Sequence, residues 1–133
     1  MAFISVTRLR VRSVWQLPKF LWHATRSSAQ ARKSAGNLGV SLLNDAKLVF
    51  WTKTAWTDEA AMRAFLLSGQ HKKAMPVLMN MCDEAAVAHW VQDSATLPTW
   101  QEAHRRLRES GRSSKVRHPS AAHEAFEIPP PRT

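Results

Sequence analysis

The nine residues LVFWTKTAW, Leu48 to Trp56, constrain this chain more than any other stretch. Leu48, Phe50, Thr52, Thr54 and Trp56 alternate with Val49, Trp51, Lys53 and Ala55, a period of two in β-branched and aromatic residues that predicts a strand. Bulky side chains stand on both parities. Both faces of the sheet that holds this strand therefore have to be covered, and a chain of 133 residues has limited material for two layers.

Other segments carry their own periods. Phe3 to Val11 places Ile4 and Val6 on one parity and Leu9 and Val11 on the other, which predicts a first strand with a bulge near Thr7 and Arg8. From Val14 to Ala35 the steps become three and four: Val14, Leu17, Leu21, Ala24, Ser28 and Ala31 form one stripe of a helix capped by Ser13, with Pro18 near its start. Gly36 and Gly39 end it, Val40 to Leu43 reads as a short strand, and Asn44-Asp45 as a turn. The glycines precede a strand and follow a helix, the reverse of the order a phosphate loop needs. Thr57 heads a helix with Asp58 and Glu59 in its first turn and Met62, Phe65 and Leu66 on its buried side. Gly69 interrupts it. A second helical piece carries Met75, Leu78, Met79 and Cys82 on one face, with Pro76 in its opening turn. Glu84 to Gln92 alternates again, and Thr99 caps a last helix in which Trp100, Ala103, His104 and Leu107 share a side.

The order strand, helix, strand, strand, helix, strand predicts an α+β, ferredoxin-like split βαβ fold with a four-stranded antiparallel sheet and both helices on one face. The bare face then needs a second copy of the chain, and two such sheets make a dimeric α+β barrel with an apolar pocket inside each subunit. Residues 1–95 form that domain, 96–110 a C-terminal helix, and 111–133, rich in Ser, Arg, His and Pro, a disordered tail.

Charge is segregated. The first 44 residues hold seven Lys and Arg and no Asp or Glu, whereas the stretch from Asp45 to Trp100 is nearly balanced. Such a field favours anionic partners without naming them. Cys82 is the one cysteine, which excludes an intrachain disulfide and a thiolate zinc cluster, and fits a reducing, cytoplasmic compartment. The start, MAFISVTRLRVR, is too soon interrupted by arginine for a signal segment, and no stretch approaches the length of a spanning helix.

The segment LVFWTKTAWTDEAAMRAFLLSGQHKKAM, Leu48 to Met75, resembles the strand and helix signature of the dimeric α+β barrel superfamily, the antibiotic-biosynthesis monooxygenase-like proteins and, more distantly, spheroidene monooxygenase. FISVTRLRV is similar to their first strand. The likeness covers residues 2 to 92, and it bears on fold more than on activity. It implies membership of a group that includes cofactor-free oxygenases of aromatic compounds, heme-degrading monooxygenases, heme enzymes and proteins with no known reaction. The heme-degrading pattern of an Asn, a Trp and an axial His falls at Thr7, Phe65 and Met75, and all three depart from it.

His71, just past Gly69 at the start of a helical piece, is the first candidate for catalysis: the helix dipole disfavours its charged form and leaves a neutral base. A cap at a helix break is the plainer reading. His89 shares parity with Val87 and Val91 and faces a buried side of its strand, as a core histidine or as a second pocket acid or base. Thr7, Trp51, Thr52, Trp56, Phe65, Met75 and Trp90 are the candidate substrate contacts; core packing accounts for most of the aromatic rings and methionines equally well. His118 and His123 carry no metal spacing, and no metal site is marked. Lys19, Arg26 and Lys33 form a ridge at seven-residue steps beside Trp15 and Trp22, a solvated face or a membrane or nucleic-acid surface.

Three functions stay open. The first is a small monooxygenase-like enzyme, cofactor-free or heme-dependent, acting on an apolar aromatic or isoprenoid-like substrate. The second is a non-catalytic dimeric module for a small molecule or partner, and the third an electrostatic binder of nucleic acid or anionic lipid.

Overall fold

Five antiparallel strands lie in the order β2 (Asn37–Ala46), β3 (Val49–Trp56), β1 (Ala2–Val11), β4 (Cys82–Gln92), β5 (Arg112–Ser113), with three helices on one face and two, the last of four residues, on the other. The computed structural model describes residues 1–46 and 48–131. The elements are β1 (Ala2–Val11), α1 (Leu17–Lys33) after a 3-10 turn at Val14–Gln16, β2 (Asn37–Ala46), β3 (Val49–Trp56), α2 (Glu59–Leu66), α3 (Gly69–Met81), β4 (Cys82–Gln92), α4 (Trp100–Ser110), β5 (Arg112–Ser113) and α5 (Ala121–Glu124). The first four strands and the helices between them make the expected ferredoxin-like unit. Among the described residues no helix is long and apolar enough to cross a membrane.

The two parities of β3 explain the layers. Phe50, Thr52, Thr54 and Trp56 face α1, α2 and α3, whereas Val49, Trp51 and Ala55 join Ile4, Val6, Ala86 and Ala88 in a core on the opposite face. That face was expected to be bare, and it is not. Ala103 and Leu107 of α4 pack on it fully buried, with Leu97, Trp100, Phe126 and Ile128 around them. The chain's own C-terminal third covers that face, so an uncovered face is no longer the ground for a second copy.

The tail from Gly111 onward is also built into the fold rather than unordered. Ser114 N–H donates to Ala85 O (2.8 Å) and Ser120 N–H to Asp83 O (3.0 Å), and Ser120 caps α5 by accepting from His123 N–H. Its last two residues, Arg132 and Thr133, lie outside the described residues. Few apolar side chains are needed here because Phe126 and Ile128 land on a core already supplied by β1, β3 and β4.

Smaller departures have local causes. β1 runs straight through Thr7 and Arg8, and the irregularity falls at Arg10/Val11 opposite β4; with both faces covered, apolar residues on both parities need no bulge. β2 spans ten residues instead of four, and Asn44 and Asp45 belong to it: Asn44 donates to Val49 O (3.0 Å) and Trp51 Nε1–H to Asp45 Oδ2 (3.3 Å), holding the strand end to β3. Asp58, not Thr57, caps α2, and Ser13 makes no side-chain cap before α1. Pro76 lies inside α3, beyond its opening turn.

Candidate functional site

Register places four hydroxyl side chains on the helix-facing side of the sheet, Thr7 beside Thr52 and Ser5 beside Thr54. Above them α1 turns Phe20, Ala24, Ser27, Ser28 and Ala31 inward at three- and four-residue steps. Between floor and roof lies a cavity of about 320 Å³, within the range of small-molecule sites. It lies between α1 and the sheet, not on the face where a dimeric barrel interior was expected. Leu21 and Leu42, both largely exposed, stand among its lining residues on α1 and on the edge strand β2.

One end of the cavity is aromatic and carries the histidine. Trp56 is fully buried, donates its Nε1–H to Thr54 Oγ1 (2.9 Å) and stacks on Phe65 at 5.3 Å between ring centroids. Phe65 in turn meets the His71 ring at 4.6 Å. His71 Nδ1 lies 3.3 Å from Leu66 O. A carbonyl only accepts, so Nδ1 carries the proton and a neutral ring leaves Nε2 as the free acceptor. Burial lowers the His71 pKa from its ordinary value, against a smaller opposing effect of the Leu66 carbonyl, so the ring is neutral at pH 7.

Gln30 of α1 fixes that histidine. Its Oε1 accepts the His71 backbone N–H (2.8 Å) and its Nε2 donates to Ser68 O (2.9 Å), so a residue from another helix caps α3 where Ser68 makes no side-chain cap. Gly69 adopts φ +54° beneath it, and a Cβ there would sit 3.2 Å from the Gln30 amide. Gln30→Ala is expected to cost about 1 kcal/mol of stability, read from the urea midpoint, and to loosen the start of α3, read from backbone amide exchange at His71. An unchanged midpoint would show that water caps the helix equally well.

The lining brings together Thr7, Thr52, Trp56, Phe65 and His71 from the candidates read in sequence. Trp51 also touches the cavity, although its ring packs toward α4, with the His104 ring at 6.3 Å. The other three stand elsewhere. His89 is opposite Ser5 on the same sheet face, but its ring packs on Phe3 at 5.4 Å, outside the cavity wall. Met75 is exposed on α3, and Trp90 faces the opposite side of the sheet under the Arg106 guanidinium. Ser5, Thr54, Ser27 and Gln30 had not been singled out. Ser27 Oγ is the informative one: it is buried, lines the cavity and has no hydrogen-bond partner among the described residues. A polar atom so placed is satisfied by water or by a ligand.

No charged side chain lines the cavity among the described residues. The two carboxylates of heme would meet no cation in that lining, so the site does not suit heme, although His71 with Nδ1–H on Leu66 O keeps Nε2 open. Cys82 is fully buried, with its thiol pushed up to about 12 by burial, and is no nucleophile.

The architecture, with a partly open cavity between α1 and the sheet, is an α+β fold shared with solved structures described as antibiotic biosynthesis monooxygenases. Solved structures of that fold include SnoaB, a cofactor-independent oxygenase from Streptomyces nogalater, at 20% identity and TM-score 0.59 over 73% of this chain and 97% of that one. A putative antibiotic biosynthesis monooxygenase from Nitrosomonas europaea aligns at 12% identity and TM-score 0.62 over 68% and 89%, and a conserved protein from Methanosarcina mazei Go1 at 16% and 0.63 over 70% and 94%. At these identities the likeness shows the fold. No curated protein matches the sequence. The family model described as a domain of unknown function, DUF3291, matches residues 10–126, and the chain belongs to that family.

Proposed function

We propose that this protein is a cofactor-free oxygenase acting on a neutral, largely apolar aromatic or isoprenoid-like substrate with an acidic C–H or phenolic O–H. One observation carries the reading: a neutral imidazole with Nε2 unprotonated stands at the aromatic end of an uncharged cavity. His71 Nε2 accepts the substrate proton, and the hydroxyls of Thr7, Thr52 and Ser27 orient the substrate's oxygen atoms. The resulting carbanion is its own reductant: it gives electrons to O2, a carbon–oxygen bond forms, the O–O bond breaks and water leaves, so a CH2 becomes C=O with no external donor. Low polarity in the cavity favours uptake of both O2 and the aromatic body.

Oxygen uptake with a panel of neutral polycyclic phenols tests this directly. Turnover is expected without added flavin, metal or reductant. The sign of its pH dependence follows from the lowered His71 pKa: the base is free at neutral and alkaline pH, and activity falls as pH drops through a value below 6.5. Phenol binding without oxygen consumption would instead favour a small-molecule binding module.

A further inference from the structure

The outer surface of α1 and α3 is charged in one sense only. α1 and α3 lie side by side, joined by the Gln30 contacts, and neither contains an Asp or Glu. Lys19, Arg26, Arg32, Lys33, Lys72 and Lys73 are all exposed on them. The acidic residues of this face are confined to Asp58 and Glu59 at the start of α2. Apolar side chains stand among those cations instead of being buried: Trp15 is 88% exposed and Trp22 54%, with Val14, Leu21 and Met75 also open to solvent. Arg26 lies over the Trp22 ring at 4.9 Å, so an indole and a cation stand together on this surface.

Trp15 in the 3-10 turn that leads into α1 and Trp22 on α1, with a basic ridge beside them, resemble the aromatic and cationic surface of an element that lies in a bilayer interface. We propose that the α1–α3 surface docks on an anionic lipid membrane, with Trp15 and Trp22 at headgroup level and Lys19, Arg26 and Lys33 on the phosphates. Charge complementarity selects the lipid, and the cavity makes it useful. Leu21 and Thr25 of α1 also line the cavity, so the docked helix is its roof and an apolar ligand can pass from the bilayer without crossing water. The docking does not depend on the oxygenase reading, because vesicle binding is measured without substrate.

Sedimentation with vesicles of phosphatidylcholine, and of phosphatidylcholine mixed with phosphatidylglycerol, is the test. Affinity for the anionic vesicles is expected to be at least about tenfold higher at low salt and to fall as salt is raised. Lys19→Gln/Arg26→Gln and Trp15→Ser/Trp22→Ser are each expected to lower it by about tenfold or more, with circular dichroism unchanged because all four side chains are exposed. Equal binding to both vesicles, or variants that bind as the parent does, overturns the proposal. So does a dimer that the Trp15→Ser/Trp22→Ser variant dissolves, or a higher affinity for single-stranded RNA than for anionic vesicles.

Discussion

Turnover of a neutral phenol by the His71→Ala variant is expected to fall about 10²- to 10⁴-fold, the range by which a positioned base accelerates proton removal. Among the described residues the lining supplies no replacement, since its other polar side chains are hydroxyls, two indoles and one amide, all far weaker bases than an imidazole. Substrate affinity is expected to change only a few-fold, because Trp56, Phe65 and the α1 residues that hold the apolar body stay in place. The acid limb of the pH profile is expected to vanish together with the rate. A loss in KM alone would reduce His71 to a wall of the cavity, and unaltered turnover would remove the proposed chemistry.

The largest effect on stability is expected on the other side of the sheet. Arg8 and Glu84 form an ion pair at 2.7 Å with side chains only 5% and 9% exposed, and Ser120 Oγ donates to the second carboxylate oxygen at 3.0 Å. Arg10 links Asp83 to the same group. Glu84→Ala leaves the Arg8 guanidinium buried without its carboxylate and frees the segment that Ser120 anchors, a loss of about 3–5 kcal/mol. The double variant Arg8→Met/Glu84→Leu removes both charges and is expected to recover most of it, as read from denaturant midpoints. If Glu84→Ala cost less than about 1 kcal/mol, the region would be wet and the C-terminal segment loosely seated.

That segment also shows where local sequence patterns stop being informative. Alternation in Leu48 to Trp56 and the three- and four-residue steps of α1 and α4 are local signals, and each produced the element it predicts. Ser114 to Ile128 has no such signal, because its ordering comes from β1, β3 and β4, all outside its own stretch of sequence, and a polar composition hides two apolar anchors. The same holds at the site. Thr52, Trp56, Phe65 and His71 were legible through strand parity and helix position and Thr7 through the family pattern, but parity alone says nothing about which face is which. It put His89 on a buried side, and although the register pairs it with Ser5, its ring packs on Phe3 rather than in the cavity wall. Gln30 was invisible for a different reason: a glutamine in a helix reads as a solvated side chain until the fold brings Ser68 and His71 to it. Ser28, the polar member of the stripe read along α1, was the readable hint that this face meets something other than core, whereas the unpartnered Ser27 beside it lay off that stripe.

All of the functional reasoning depends on the space between α1 and the sheet being a binding site. Proton–nitrogen correlation spectra of the labelled protein, recorded as a neutral polycyclic phenol is titrated in, address it most directly. The account predicts saturable shifts at Thr7, Thr52, Ser27 and His71, with the His71 ring perturbed at Nε2 and little change at Trp90 or in α4. Shifts confined to the α4 face, or none up to the solubility of the ligand, would contradict it.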